Sequence, residues 1–112
     1  MNQTNILNQN EIVALTDGVT SAVRRNTPDS DHKYQDIRIH GLDKTLPASF
    51  EVIFKASAIS VSMLDRLESM IVHGARRDLG IQLTTNIVGV NAYTTRKVKV
   101  VLSFYMNRYV QL

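Results

Sequence analysis

Cysteine is missing from the 112 residues, which excludes disulfides, thiolate catalysis and cysteine-ligated zinc. Tryptophan is missing too, and there are only two prolines, Pro28 and Pro47. No apolar run approaches the roughly 18 residues of a membrane span, so no membrane partner is expected. The opening residues, M-N-Q-T-N-I-L-N-Q-N, carry neither the basic nor the apolar segment of a signal peptide. With the missing cysteine, this sets a cytoplasmic expectation.

Signatures of chemistry are equally sparse. The five glycines (Gly18, Gly41, Gly74, Gly80 and Gly89) are scattered, and none forms a phosphate cradle; no serine sits in a G-x-S-x-G elbow. His32, His40 and His73 lack the spacing of metal ligands. Asp31-His32 are mere sequence neighbours, and Asp29-Ser30-Asp31 begins like a calcium loop without its glycine or closing glutamate. No catalytic residue, metal ligand or cofactor is assigned, and the expectation is a protein that is not an enzyme.

What the chain does contain is a set of regular periods. At 44% hydrophobic and 21% charged it has the composition of an ordinary folded domain, and its length fits one. Residues 1–7 form a polar extension. Asn8-Gln9-Asn10-Glu11 then has capping-box spacing, followed by Ile12, Leu15, Val19 and Val23 as one helical stripe. Gly18 is a flaw inside that helix, Arg24-Arg25 suit its negative end, and Asn26 and Pro28 stop it. A second helix follows Ser60 or Ser62, with Leu64, Leu67, Ile71 and Gly74 as its stripe, backed by Met63 and Met70. Arg76-Arg77 fall in its last turn, and Gly80 with Ile81 closes it.

Four segments alternate with the period of a strand. Between Tyr34 and His40, Ile37 and Ile39 face one way, while Tyr34, Asp36, Arg38 and His40 face the other. A longish connection over 41–47 leads to Phe50–Ala56, with Phe50, Val52, Phe54 and Ala56 inward and Glu51, Ile53 and Lys55 outward. Ile81–Val90 places Ile81, Leu83 and Ile87 on one side and Gln82, Thr84, Asn86 and Val88 on the other, before a turn over Asn91–Thr95. The last segment, Arg96–Val110, sets Val98, Val100, Leu102, Phe104 and Met106 against Lys97, Lys99, Ser103, Tyr105, Asn107 and Tyr109.

The expected fold is therefore α+β, a single domain over 1–112 in the order αββαββ: a two-layer sandwich of a four-stranded antiparallel sheet with two helices on one face. That order is what a ferredoxin-like fold becomes when its first strand is moved to the end. An open or swapped sheet is the alternative. The two units, 8–57 and 60–112, echo one another: a shift that lays Asn8 on Ser60 also lays Ile12 on Leu64, Val19 on Ile71 and Arg24-Arg25 on Arg76-Arg77. The echo suggests an αββ duplication without requiring one.

The face left uncovered should collect Tyr34, Arg38, His40, Lys55, Gln82, Thr84, Asn86, Lys97, Lys99, Tyr105 and Tyr109, against two acids, Asp36 and Glu51. Cations hold phosphates and aromatic rings stack bases, so this surface suits single-stranded or structured nucleic acid. The expected binding residues are Tyr34, Arg38, His40, Lys55, Lys97, Lys99, Tyr105 and Tyr109, joined by Arg76 and Arg77 if matched helix ends share a rim. The net charge of +3 permits this reading without demanding it. Ile53, Val88, Val90 and Val101 on the same face also suit contact with another copy, so a homo-oligomer is expected. The alternative function is an assembly or inhibitor protein, of the kind viruses and mobile elements encode, that uses this face or its edge strands to meet protein.

Overall fold

Both helices begin on a side-chain cap, and their C-terminal carbonyls are met by the Asn26 side chain in one and by the amides of Gly80 and Ile81 in the other. The computed structural model describes residues 7–42, 49–94 and 97–107, the side chains of 86–88, 90–94, 97 and 107 excepted. Helix α1 spans Gln9–Arg25. Asn8 Oδ1 accepts from the Glu11 amide at 2.8 Å and Glu11 Oε1 accepts from the Asn8 amide at 3.1 Å, so both halves of the capping box form. At the other end Asn26 donates its side-chain amide to the Ala22 carbonyl at 2.8 Å. Gly18 is exposed with open space around it, so only its low helix propensity counts against it. Helix α2 spans Val61–Leu79 and is capped by Ser60, whose hydroxyl accepts from the Met63 amide at 3.1 Å. Ser62 is therefore inside the helix. Gly80, at φ 65°, ends it, with its own amide and that of Ile81 donating to the Arg76 and Ala75 carbonyls.

Strands β1 (Arg38–His40), β2 (Ser49–Ala56), β3 (Gln82–Thr94) and β4 (Lys97–Asn107) form one antiparallel sheet in the order β1-β2-β4-β3. One side of it holds Phe50, Val52, Phe54 and Ala56 from β2 with Val100, Leu102, Phe104 and Met106 from β4, all buried. These share a single cluster with Leu15, Val19, Ala22 and Val23 of α1 and Leu67, Ile71 and Ala75 of α2. Ala75, rather than the expected Gly74, is the buried residue of the second stripe. Phe50 and Phe104 are cross-strand partners whose rings stack at 5.3 Å between centroids. The protein is thus α+β, a four-stranded antiparallel sheet with two helices, and no described helix is long and apolar enough to cross a membrane.

Two strands depart from the alternation read in the sequence. The first is shorter than expected, because Tyr34–Ile37 lies outside β1. A single 3₁₀ turn over Asp29–Asp31 continues into a turn through Tyr34, and Asp36 adopts φ 49°, a left-handed conformation that aspartate tolerates better than most residues. The second, β3, runs on through Asn91–Thr94, where a turn was expected, and its register slips between Thr85 and Ile87. Leu83 and Thr85 stand opposite Met106 and Phe104, whereas Ile87 stands opposite Ser103, and Val88 and Val90 stand opposite Leu102 and Val100. An extra residue in one strand reverses the parity of everything after it. Ile87 therefore does not share the register of Leu83, and Val88 and Val90 leave the rows that the open face was expected to contain.

Gly41 closes β1 at φ 110°, where a Cβ would lie 2.8 Å from the Ser49 carbonyl oxygen and 3.2 Å from Phe50 Cα. The partner is backbone on a central strand, so little can give way. Gly41→Ala is expected to lower the unfolding free energy by on the order of 1–3 kcal/mol. The check is a chemical-denaturation midpoint compared with that of Gly18→Ala, where no such penalty arises.

Candidate functional site

The register of the four strands lays out the open face row by row. One row runs Lys55, Lys99, Asn91 across β2, β4 and β3; the next runs Arg38, Ile53, Val101, Gly89 from β1 to β3. Beyond these come His40, Glu51, Ser103, Ile87 and then Ser49, Tyr105, Thr84. The face has a basic end, a half-buried aliphatic middle made by Ile53 and Val101, and a polar end with Tyr105 47% exposed. Lys99 and Tyr105 are six residue steps apart along β4, which at ~3.4 Å per step places them about 20 Å apart.

Lys55 and Lys99 are direct cross-strand partners and both are half-buried. Like charges directly opposite one another oppose sheet formation. Their stems can lie along the aliphatic middle while the ammonium groups reach outward. Together with Arg38, His40 and Asp36 they border a cavity of about 300 Å³ at the β1 side of the sheet. Asp36 Oδ2 accepts from Arg38 at 2.9 Å (Nη2) and 3.1 Å (Nε), an exposed pair that adds little stability but orients the guanidinium beside the lysines. Among the described residues that line it, three are cations (Arg38, Lys55 and Lys99) and one is an acid.

Of the ten residues expected to bind, the structure brings five onto this face: Arg38, His40, Lys55, Lys99 and Tyr105. The Lys97 side chain and Tyr109 lie outside what the structure describes. Arg76 and Arg77 are exposed on α2, in the helical layer, and Arg77 lies 2.9 Å from Asp78. Arg25 and Arg77 border a shallow groove between the helices, at whose floor lie Leu15, Val19, Ile71 and Ala75, residues that also belong to the core. The arginines therefore stand apart from the sheet-face cluster.

Tyr34 is the clear correction. It is half-buried outside the strand, and its hydroxyl donates to Asp31 Oδ1 at 2.6 Å. Asp31 is buried and also accepts, at Oδ2, the Ser57 amide at 3.0 Å and the Ser57 hydroxyl at 3.2 Å. Burial acts to raise the Asp31 carboxyl, but the bonds from Tyr34 and Ser57 outweigh it and hold the group below the usual carboxylate range. The same bond from Tyr34 raises the phenol above its ordinary value. Next to this hub, Gln35 Nε2 donates to the Thr27 hydroxyl at 2.9 Å, which donates to the Val23 carbonyl at 2.8 Å, while the Gln35 carbonyl accepts from the Lys55 amide at 3.1 Å. The cluster pins the loop after α1 against the end of β2. It is scaffolding for the Lys55 end of the open face, and sequence inspection missed it because nothing in N-T-P-D-S-D-H-K distinguishes a buried aspartate from a solvated one.

Among the described residues no three His, Asp or Glu side chains converge as a metal-holding group. No family model, curated protein or solved structure matches the chain. The site's own chemistry is what the functional reading rests on.

Proposed function

We propose that this is a non-catalytic binding protein whose open sheet face takes single-stranded nucleic acid. The strand order β1-β2-β4-β3 is that of a ferredoxin-like sheet whose first strand has moved to the end of the chain, and we read the fold that way. One observation carries the functional reading: the Lys55–Lys99 pair, two half-buried like charges side by side, on the same face as an exposed Tyr105. Phosphate oxygens find cations along this row, Arg38 and His40 extend the basic end, and the ring of Tyr105 offers a base a stacking platform. Stacking of this kind is typically worth ~1–3 kcal/mol per base. Ile53 and Val101 supply an apolar floor between the two.

The test is titration of a fluorescent oligothymidylate at several salt concentrations. Removing two phosphate-contacting cations from a single-strand site should flatten the log–log salt dependence by about 1.4, roughly 0.7 for each. Lys55→Ala/Lys99→Ala is expected to show that change together with about a tenfold weaker affinity at low salt, and Tyr105→Ala a loss of affinity with the slope unchanged. Equal binding and an equal slope for wild type and double variant would remove the nucleic-acid reading.

A further inference from the structure

The two edges of the sheet are built in opposite ways. β1 is three residues long and carries exposed Arg38 and His40. β3 is thirteen residues long, and among the described residues its ladder runs to β4 alone. Its sequence, Q-L-T-T-N-I-V-G-V-N-A-Y-T, contains no Asp, Glu, Lys or Arg and no proline. A long edge presents a row of amides and carbonyls, and proteins that remain single normally blunt such an edge by shortness, charge, proline or bulges. β3 is not short and carries no charge or proline, so of these devices it has only its two register shifts. Its two register shifts, at Thr85/Ile87 and Ala92/Thr94, leave an undisturbed ladder over 87–92 between them.

We infer that β3 pairs antiparallel with β3 of a second copy of this chain, about a two-fold axis near Gly89, joining two four-stranded sheets into one of eight strands. Three features favour a copy of the same chain as the occupant. An uncharged edge meets itself without electrostatic conflict. The undisturbed segment matches its own length by construction, as an isologous contact requires. And the row Arg38, Ile53, Val101, Gly89 reaches the edge at its least bulky residue, so a partner's row continues it. The inference stands whether or not the open face binds nucleic acid.

The decisive variant is Gly89→Lys. Among the described residues a Cβ at Gly89 meets Val101 alone, at the ordinary contact distances of 3.8 Å and 3.9 Å, and the glycine has no left-handed backbone to lose, so a side chain is expected to start there without strain. Across the two-fold, however, it sets two ammonium groups opposite each other. Light scattering over a concentration series should give twice the 12.6 kDa chain mass for the wild type and for Gly89→Ala. For Gly89→Lys the dimer dissociation constant should rise roughly fivefold or more, with the urea midpoint of the isolated domain unchanged. Hydrogen exchange provides the second readout: alternate amides of 87–92, those turned away from β4, should slow as the concentration rises. A single-chain mass up to the solubility limit overturns the inference. So does a dimer that Gly89→Lys leaves intact, or one whose β3 amides exchange at the same rate as in the monomer.

Discussion

Phe104→Ala is expected to cost about 3–5 kcal/mol of unfolding free energy, a large part of what a domain of this size possesses. Phe104 is fully buried on β4, one of the two central strands, and its ring stacks on Phe50 directly across the ladder. Truncation removes the transfer energy of the ring and the edge of that stack. It also leaves a void between the sheet and the helices that stiff neighbours such as Val52 and Leu102 fill incompletely. The internal comparison is Tyr105→Ala, one residue along and on the opposite face, where a surface aromatic should be worth less than about 1 kcal/mol. Urea unfolding of the two variants separates the faces of the sheet. If both cost the same, the assignment of one face to the core is wrong.

Asp31→Ala is expected to cost about 2–4 kcal/mol, since hydrogen bonds to a buried charged group are worth more than neutral ones and the Ser57 amide would lose its acceptor. The residue sits in what reads as a solvated loop, so a loss of this size would be out of proportion to its surroundings in the sequence. The carboxyl also makes stability depend on pH. Its folded pKa lies below the unfolded value near 3.8, so the contribution is fully present above that value and disappears as the pH falls through the lowered folded pKa. Thermal unfolding of the wild type should therefore show a fall in midpoint below about pH 4, and Asp31→Asn, which cannot titrate, should show a shallower one. Equal slopes for the two proteins in acid would mean that other carboxylates carry the effect.

What could be read from the chain without coordinates was whatever is decided by near neighbours. Asn8 with Glu11, Ser60 with Met63, and Gly80 with Arg76 act over three or four residues, and each forms as the local pattern implies. The two central strands were equally plain, because burial on one side only imposes strict alternation, and the same alternation put Arg38, His40, Lys55, Lys99 and Tyr105 together on the other side. The failures depend on more than the local alternation and helix-end patterns. Tyr34 continues the alternation of β1, yet Asp31 takes its hydroxyl, and that carboxylate is itself fixed by Ser57, 26 residues on. The bulge in β3 carries no glycine or proline to announce it, so parity read from Ile81 and Leu83 was carried past Thr85 to the wrong row. Arg76-Arg77 were grouped with the sheet face by matching helix ends, a rule that takes no account of which layer those ends occupy.

The position of β4 has a consequence for how the domain comes together. It is the last strand in chain order but lies between β2 and β3, so the first half of the protein has only the three-residue β1 to pair with β2 until β4 arrives from about half a chain length away. Contacts of such sequence separation must meet the entropy of closing a long loop before they return any stabilisation. Pairing of β2 with β4 is therefore expected to form late in folding, and placing this one strand completes the ladders of both halves together.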